Sequence, residues 1–234
     1  MFFDAMMLAR AVAEAEMCFV GARVQDPAQQ RHDEMVLVFR RDLPANSLLI
    51  SSSPQFGRVC LASRPKNKAQ PQPFGLALRK HLRGARLTGV SQPGFDRIIR
   101  LEFEECDGFG KESTGTLIAE IMGKHGNIML LDEHEVIISC AKHVPARMNR
   151  YRQIMEGEPY VPPPDFDKVD PREITAEALL ARVEANPDLS LRDLVVKSCT
   201  GISKVLSAEI LARFGDAPDD IEQLQPAQID RLVA

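Results

Sequence analysis

The residues with the strongest chemical signature in this sequence are the cations of its middle third. Between positions 58 and 100 the chain carries ten lysines and arginines and a single acid, Asp96, which gives a local net charge of +9. The segment from position 165 to the end instead has 14 acidic and 8 basic residues. A stretch this basic repels itself unless a polyanion or counter-ions neutralise it. The sequence therefore predicts phosphate binding, and a solvated positive surface is the alternative.

Sequence signatures of catalysis are largely missing. Residues 108–111 resemble part of a phosphate loop, but Glu112 follows where Ser or Thr is required. There is no Gly-x-Ser-x-Gly elbow, and the His-Glu pair within residues 132–135 lacks the second histidine of a zinc helix. Residues 132–135 are more typical of a hairpin turn than of a metal site. We therefore expect no enzymatic activity, no cofactor and no metal.

Composition limits the class of protein. The 234 residues are 44% hydrophobic and 26% charged, close to globular averages, and no apolar run is long enough to cross a bilayer. Asp4, Glu14 and Glu16 interrupt the pattern that a signal peptide needs. Five cysteines with no C-x-x-C pair are typical of reduced thiols. We expect a cytoplasmic protein without a membrane partner, and the sequence does not indicate its oligomeric state.

Residue patterning predicts an α+β fold for the first 164 residues. Amphipathic helices are expected at residues 4–17 and 74–83, the second with the cations Arg79, Lys80 and Arg83 on its polar side as candidate RNA contacts. Runs of valine, leucine and isoleucine predict antiparallel strands at residues 35–40, 47–52, 58–62, 85–90, 97–103, 114–122, 127–131 and 135–140. Strands that cluster in sequence favour α+β over a doubly wound sheet.

A stiff run of prolines at positions 162–164 predicts a domain boundary, with a first domain at 1–164 and an all-α domain at 165–234. Helices are expected at 175–185, 191–198 and 204–214. The turn between the last two contains Gly201, Ile202 and Ser203, precedes Lys204, and resembles a helix-hairpin-helix phosphate site. An ordinary helical corner is the alternative. The sequence stops within a helical pattern, so we expect a fragment of a longer protein.

Several segments together resemble one protein family. They are residues 74–84, 92–99 and 120–128, with shorter matches at 3–5, 157–163 and 201–203. In order and spacing they are similar to the NFACT family over essentially the whole chain. The resemblance implies a β-rich N-terminal domain related to that of formamidopyrimidine-type DNA glycosylases, followed by a helix-hairpin-helix domain. Gly126 departs from the family pattern, which often has serine there.

The resemblance also implies a function and a set of site residues. Family members act in ribosome-associated quality control, where they bind a large ribosomal subunit that holds peptidyl-tRNA and recruit alanyl-tRNA for untemplated alanine tails. The ribosome supplies the peptide-bond chemistry. The family's Asp-Arg pair matches Asp96 and Arg97, and its loop motif matches Glu120, Ile121, Met122, Gly123, Lys124, His125 and Asn127. These residues are expected to bind RNA.

Two other functions remain in view. An alternative name within the family suggests an extracellular adhesin for fibronectin or fibrinogen, against which the basic stretch and the unpaired cysteines argue. Kinship with glycosylases suggests base excision, but those enzymes use an N-terminal proline and here Phe2 follows the first residue. We therefore expect a tRNA- and ribosome-binding factor.

Overall fold

The structure, a computed structural model, describes residues 3–66, 70, 72–106, 112–164, 167–215 and 226–233, without the side chains of residues 105, 106, 112, 113 and 226. The phosphate-loop resemblance at 108–111 lies outside the described residues. The described chain divides into two compact units, one formed by residues 7–93 and 97–162 with Phe3, the other by residues 4–6, 94–96 and the chain from 163 onward. The domain boundary at position 164 stays a prediction.

The first unit begins with a helix against a four-stranded sheet. Helix α1 (Ala5–Phe19) is rich in alanine and methionine and ends before Gly21, which has a left-handed conformation. Its Phe19 stacks on Phe39 with ring centroids 4.5 Å apart, a contact that stabilises by about 0.5–1.5 kcal/mol beyond area burial. The strands of this sheet are β1 (Val24–Arg31), β2 (Glu34–Phe39), β3 (Ser47–Ser51) and β4 (Arg58–Ala62), antiparallel and in chain order.

Five further antiparallel strands in chain order form a second sheet in the same unit. They are β5 (Arg86–Ser91), β6 (Ile98–Cys106), β7 (Glu112–Glu120), β8 (Asn127–Leu131) and β9 (Ile137–Cys140). The sheets meet where Gly21 donates its backbone N–H to Leu87 O at 2.8 Å and Val24 to Ala85 O at 2.8 Å. One apolar core runs through both sheets and includes Leu8 of α1 and Leu78 of α2 (Pro73–Leu82).

The second unit is helical in its described residues. It contains α3 (Ala176–Ala185), α4 (Leu191–Ser198), α5 (Lys204–Phe214) and α6 (Pro226–Val233). Thr175, Ser190 and Ser203 cap the first three helices, each accepting a hydrogen bond from a backbone N–H of the first turn. In the described part of the chain, no helix combines the length and the apolar character needed to cross a bilayer.

The predicted α+β class with antiparallel sheets and flanking helices is confirmed. Strand β1 is an addition, because the sequence analysis predicted no strand between residues 21 and 35. Its sequence, VQDPAQQR, has few residues with a strand preference and contains Pro27. Proline is tolerated there because β1 is an edge strand of its sheet. Gln29 of β1 also contacts helix α2, because its Oε1 accepts a hydrogen bond from Gly75 N at 2.9 Å.

Candidate functional site

One end of the second sheet brings Arg97 beside a glycine-containing loop. Strand β6 begins directly after Arg97, and its first residue pairs with Glu120, the last residue of β7. Ile121 donates its backbone N–H to Arg97 O at 2.8 Å. We call residues 121–126 the Gly123 loop. Residues of two sequence motifs that are 24 positions apart in the chain, Arg97 and Ile121, are therefore hydrogen-bonded neighbours in this unit.

The Gly123 loop is a tight turn held by backbone contacts. Gly123 has a left-handed φ of 58° and begins a 3-10 turn, in which Gly126 N donates to Gly123 O at 3.0 Å. A Cβ added to Gly126 would lie 2.5 Å from Ser52 O and 3.0 Å from Glu120 O. A side chain at Gly126 would require these backbone oxygens to shift, so the turn as it stands favours glycine there.

Asn127 fastens the far side of the Gly123 loop to the chain that follows β9. Its Oδ1 accepts from Ile128 N at 2.9 Å and from Lys142 N at 3.0 Å, while its Nδ2 donates to Lys142 O at 2.7 Å. The ammonium group of Lys142 then donates to Lys124 O at 2.8 Å. Three of the four hydrogen-bonding positions of the Asn127 amide are thus used inside the protein.

A buried ion pair anchors the near side of the loop. Both guanidinium NH2 groups of Arg152 lie 2.6 Å from the carboxylate oxygens of Glu120, and the Tyr160 hydroxyl donates to the same carboxylate at 3.1 Å. Glu120 is 0% exposed and Arg152 is 7% exposed. Burial acts to lower the pKa of Arg152, but its hydrogen bonds with Glu120 prevail, and the pKa is raised. The pKa of Tyr160 is also raised, by burial and by the charge of Glu120.

The predicted loop residues therefore separate into supports and exposed groups. Glu120, Ile121 and Asn127 are buried, so their side chains shape the loop, and their expected part in RNA binding stays a prediction. Lys124 and His125 are exposed, and Met122, Gly123 and Arg97 are partly buried. This end of the sheet therefore presents the exposed side chains of Lys124 and His125, the exposed tip of the loop, above the buried contacts of Glu120 and Asn127.

Two exposed aromatic residues directly precede residues that contact this loop or its anchor, and neither is indicated by the sequence patterns. Phe56 is 59% exposed and precedes Gly57, where an added Cβ would lie 2.8 Å from the Ile121 side chain. Tyr151 is 58% exposed and precedes Arg152, the partner of Glu120. The only sequence signal for their exposure is that their neighbours in the chain are polar. An isolated aromatic residue is otherwise most often part of a core.

The cations of α2 occupy different environments. Arg79 is partly buried with its Nε 3.9 Å from Asp26 of β1. Lys80 and Arg83 are exposed. The helix is oriented by its buried residues Phe74, Leu78 and Leu82, which leave the basic side outward.

In the second unit, the turn between α4 and α5 (residues 199–203), which we call the hairpin, packs tightly against residues 94–96. Gly201 has φ 71°, and an added Cβ there would overlap the carbonyl oxygen of Phe95 and lie 2.6 Å from the Ala5 Cβ. Phe95 in turn lies under the Arg172 guanidinium, 5.3 Å from its ring centroid. Asp96, which is partly buried, follows Phe95 directly. The hairpin thereby fixes the backbone that presents Asp96.

The remaining hairpin residues begin α5. Ile202 is buried, and the Ser203 hydroxyl accepts from Leu206 N at 3.1 Å as the cap of the helix. Lys204 is exposed at the first helical position. Thr200 N donates to Val169 O at 2.9 Å, so the turn is also tied to the chain before α3.

Groups suited to metal binding or thiol chemistry do not converge in the part of the chain that the structure describes. No cluster of three or more His, Cys, Asp or Glu side chains could hold an ion among those residues. Burial raises the pKa of the Cys140 thiol to about 11, and burial also raises that of Cys199. A thiol with a raised pKa stays protonated and reacts slowly at neutral pH.

Comparisons with known proteins agree with this architecture. The protein named Rqc2 homolog RqcH from Streptococcus pneumoniae serotype 2 (strain D39) is 36% identical over 181 residues, which are 76% of this chain and 33% of that protein. The Rqc2 homolog RqcH of Bacillus subtilis (strain 168) is 30% identical over 217 residues, 92% of this chain and 38% of that protein. The chain thus spans about a third of the length of these relatives.

A solved structure is also similar. It is the N-terminal part of the fibronectin/fibrinogen-binding protein from Streptococcus suis, with a TM-score of 0.81, 29% identity, and coverage of 99% of this chain and 84% of that one. The family model for NFACT N-terminal and middle domains matches residues 4–234. Because that match extends over nearly the whole chain, the protein belongs to the NFACT family.

Proposed function

We propose that this chain is the RNA-binding N-terminal portion of a bacterial ribosome-associated quality-control factor. In this proposal it engages tRNA, including alanyl-tRNA, on a large ribosomal subunit that still holds peptidyl-tRNA, so that alanine is added to the stalled chain without a template. The names of the S. pneumoniae and B. subtilis relatives support the process at the level of the family. The proposed location is the cytoplasm.

The observation that carries the proposal is the junction of Arg97 with the Gly123 loop. Ile121 N bonds Arg97 O, so the guanidinium-bearing residue and the exposed tip of Lys124 and His125 belong to one surface. Arginine presents a planar fork to phosphates and base edges, while Asp96 can accept from a ribose hydroxyl or an exocyclic amine. The buried Glu120–Arg152 pair keeps the loop rigid, which lowers the entropic cost of binding.

The exposed rings of Phe56 and Tyr151 give the proposal a second element. Sequence-dependent RNA recognition relies on unstacked bases that lie against aromatic side chains. The anticodon loop of a tRNA offers such bases, whereas a plain duplex does not. A loop with exposed cations and nearby exposed aromatic residues therefore suits an unpaired loop of a structured RNA better than it suits a continuous RNA double helix.

The hairpin of the second unit is proposed as a backbone phosphate contact of the helix-hairpin-helix kind. Gly201 to Ser203 precede α5, whose first-turn N–H groups carry the positive end of the helix dipole, and Lys204 is exposed beside them. No chemical step is proposed for this chain, since peptide-bond formation belongs to the ribosome.

A binding experiment tests the proposal directly. Fluorescence anisotropy with labelled tRNA, and sedimentation with large ribosomal subunits that hold peptidyl-tRNA, are run between 50 and 200 mM salt. We expect tRNA affinity that falls steeply with salt, because each neutralised phosphate releases counter-ions. The name of the S. suis neighbour supports adhesion as the second candidate. Tight binding to immobilised fibronectin at high salt, with no affinity for tRNA, would replace the proposal with that one.

A further inference from the structure

At the other end of the second sheet from Arg97, three arginines form a row across neighbouring chain segments. Arg23 and Arg86 are bridged as antiparallel partners, and Arg40 donates its backbone N–H to Arg23 O at 2.9 Å. Residues directly opposite on antiparallel segments point to the same face, and adjacent segments are about 4.8 Å apart. We call Arg40, Arg23 and Arg86 the arginine row.

The arginine row is exposed and lacks acidic partners. All three residues are exposed, and among the described residues none has a carboxylate within ion-pair distance. Glu104 is the strand partner of Arg86 and lies beside that end of the row. Arg23 and Arg40 are farther from it. Like charges placed directly opposite each other destabilise a sheet. An external anion would relieve that repulsion.

Two more arginines extend the positive surface. The Arg41 side chain donates to Val20 O at 3.0 Å. Within the row itself, the Arg23 side chain donates to Gly84 O at 2.8 Å. Arg83 is exposed and directly precedes Gly84. Five exposed arginines therefore lie on three neighbouring chain segments, although only Arg83 and Arg86 lie in the basic stretch of the sequence.

We infer that the arginine row is a docking surface for the phosphate backbone of double-helical RNA. The apolar residues directly beside the row in the chain, Ala22, Phe39 and Leu87, are buried, so they supply neither an apolar anchor for a membrane nor an apolar centre for a protein interface. Guanidinium groups without apolar support suit sequence-independent contact with phosphates. The choice of RNA rests on the proposed function, which this inference deepens.

The row is a separate site from the Gly123 loop. Glu104, the partner of Arg86, is seven positions after Arg97 along β6. At about 3.3 Å per residue, this corresponds to about 23 Å. A folded RNA that offers an unpaired loop at one end of the sheet and a helical stem at the other can engage both. The stem would supply affinity, and the loop would supply selectivity.

The test uses the whole chain, a fluorescein-labelled 20-base-pair RNA duplex and anisotropy at several salt concentrations. Arg40→Gln with Arg86→Gln spares Arg23, whose side chain bonds Gly84 O. We expect about tenfold weaker binding and a salt slope lowered by about 1.8, the value for two lost phosphate contacts. Arg40→Lys with Arg86→Lys should retain the slope. The control is Arg192→Gln with Lys197→Gln, two exposed cations of α4 that give the same change of charge.

The outcomes separate this inference from the proposed function. Equal duplex affinity for the Arg40/Arg86 variant and the α4 control, both folded by circular dichroism, overturns the inference while leaving loop binding to tRNA intact. A wild-type chain that ignores the duplex overturns it as well. Loss of binding to phosphatidylserine vesicles, with duplex binding unchanged, would assign the row to a membrane instead. Wild-type tRNA affinity of Asp96→Ala with Arg97→Ala, in a chain whose duplex binding still depends on Arg40 and Arg86, counts against the proposed function alone.

Discussion

Arg152 places its guanidinium against both carboxylate oxygens of Glu120, at 2.6 Å each, inside the protein. Its NH1 group also donates to Val161 O at 2.9 Å. One side chain therefore joins the end of β7 to the segment before the proline-rich connector. The exposed tip of the Gly123 loop depends on this pair, because Glu120 is the residue from which the loop departs.

Removal of Arg152 is expected to be costly. Arg152→Met leaves the Glu120 carboxylate buried without a countercharge, which should lower the free energy of unfolding by about 3–5 kcal/mol. Glu120→Gln combined with Arg152→Met should regain part of that loss. Urea unfolding monitored by circular dichroism measures both. Arg150→Met, an exposed neighbour, is the control and should change stability by less than about 0.5 kcal/mol. Equal effects of the two single substitutions would contradict the anchoring role.

Gly201→Ala is expected to destabilise the hairpin through a steric overlap. Both Gly201 and Gly215 have positive φ, so alanine at either position strains the backbone. An added Cβ meets Phe95 and Ala5 at Gly201, whereas it meets nothing within 4 Å at Gly215. The loss in unfolding free energy should therefore be clearly larger for Gly201→Ala than for Gly215→Ala. Matching losses would show that the hairpin does not need its close contact with Phe95.

Phe56→Ala is expected to weaken tRNA binding without loss of stability. If the exposed ring stacks on one unpaired base, its removal costs about 1–3 kcal/mol of binding free energy, or roughly fivefold to 150-fold in Kd. Phe56→Tyr retains an aromatic face and should bind nearly as the wild type does. Met17→Ala, an exposed apolar residue of α1, is the control in the same anisotropy assay. A Kd unchanged by Phe56→Ala would remove the stacking element from the proposed function.

Cys140 should make stability depend on alkaline pH. Burial, with a smaller contribution from the Glu156 charge, raises the pKa of its thiol from the ordinary 9.0 to about 11. Between pH 9 and 11 the unfolded thiol has lost its proton while the folded one retains it. The free energy of unfolding therefore falls as pH rises through that window, by up to about 1.4 kcal/mol per pH unit.

The comparison of wild type with Cys140→Ala isolates this contribution. Urea unfolding at intervals from pH 8.5 to 11 should give a shallower decline for the variant, whatever its stability at pH 8.5. Parallel declines would mean that the thiol is not the group responsible.

Local sequence patterns were sufficient for most of the secondary structure. The alternation of Ile99, Leu101 and Phe103 with charged residues predicts β6, because one face of that strand enters the core. β1 escaped prediction because its eight residues include a proline and three glutamines, and what defines it is pairing with β2 and contact of Gln29 with α2. Edge strands depend on such neighbours more than on their own residue preferences.

The candidate site was predictable as a set of segments but not as a set of contacts. Arg97 and the motif at residues 120–127 meet at one end of the sheet, and their role in RNA binding stays a prediction. The burial of Glu120 and Asn127 could not be foreseen, because it depends on Arg152 and Lys142, which are 32 and 15 residues distant in the chain. Likewise, charge counting found the basic stretch but not the arginine row, since Arg23 and Arg40 lie outside that stretch.

The most direct test of the account is the tRNA affinity of Asp96→Ala with Arg97→Ala, measured by anisotropy across a salt series. The account predicts a folded protein that binds tRNA at least tenfold more weakly than the wild type, while its affinity for a plain RNA duplex is retained. A folded double variant with wild-type tRNA affinity and an unchanged salt slope would contradict it.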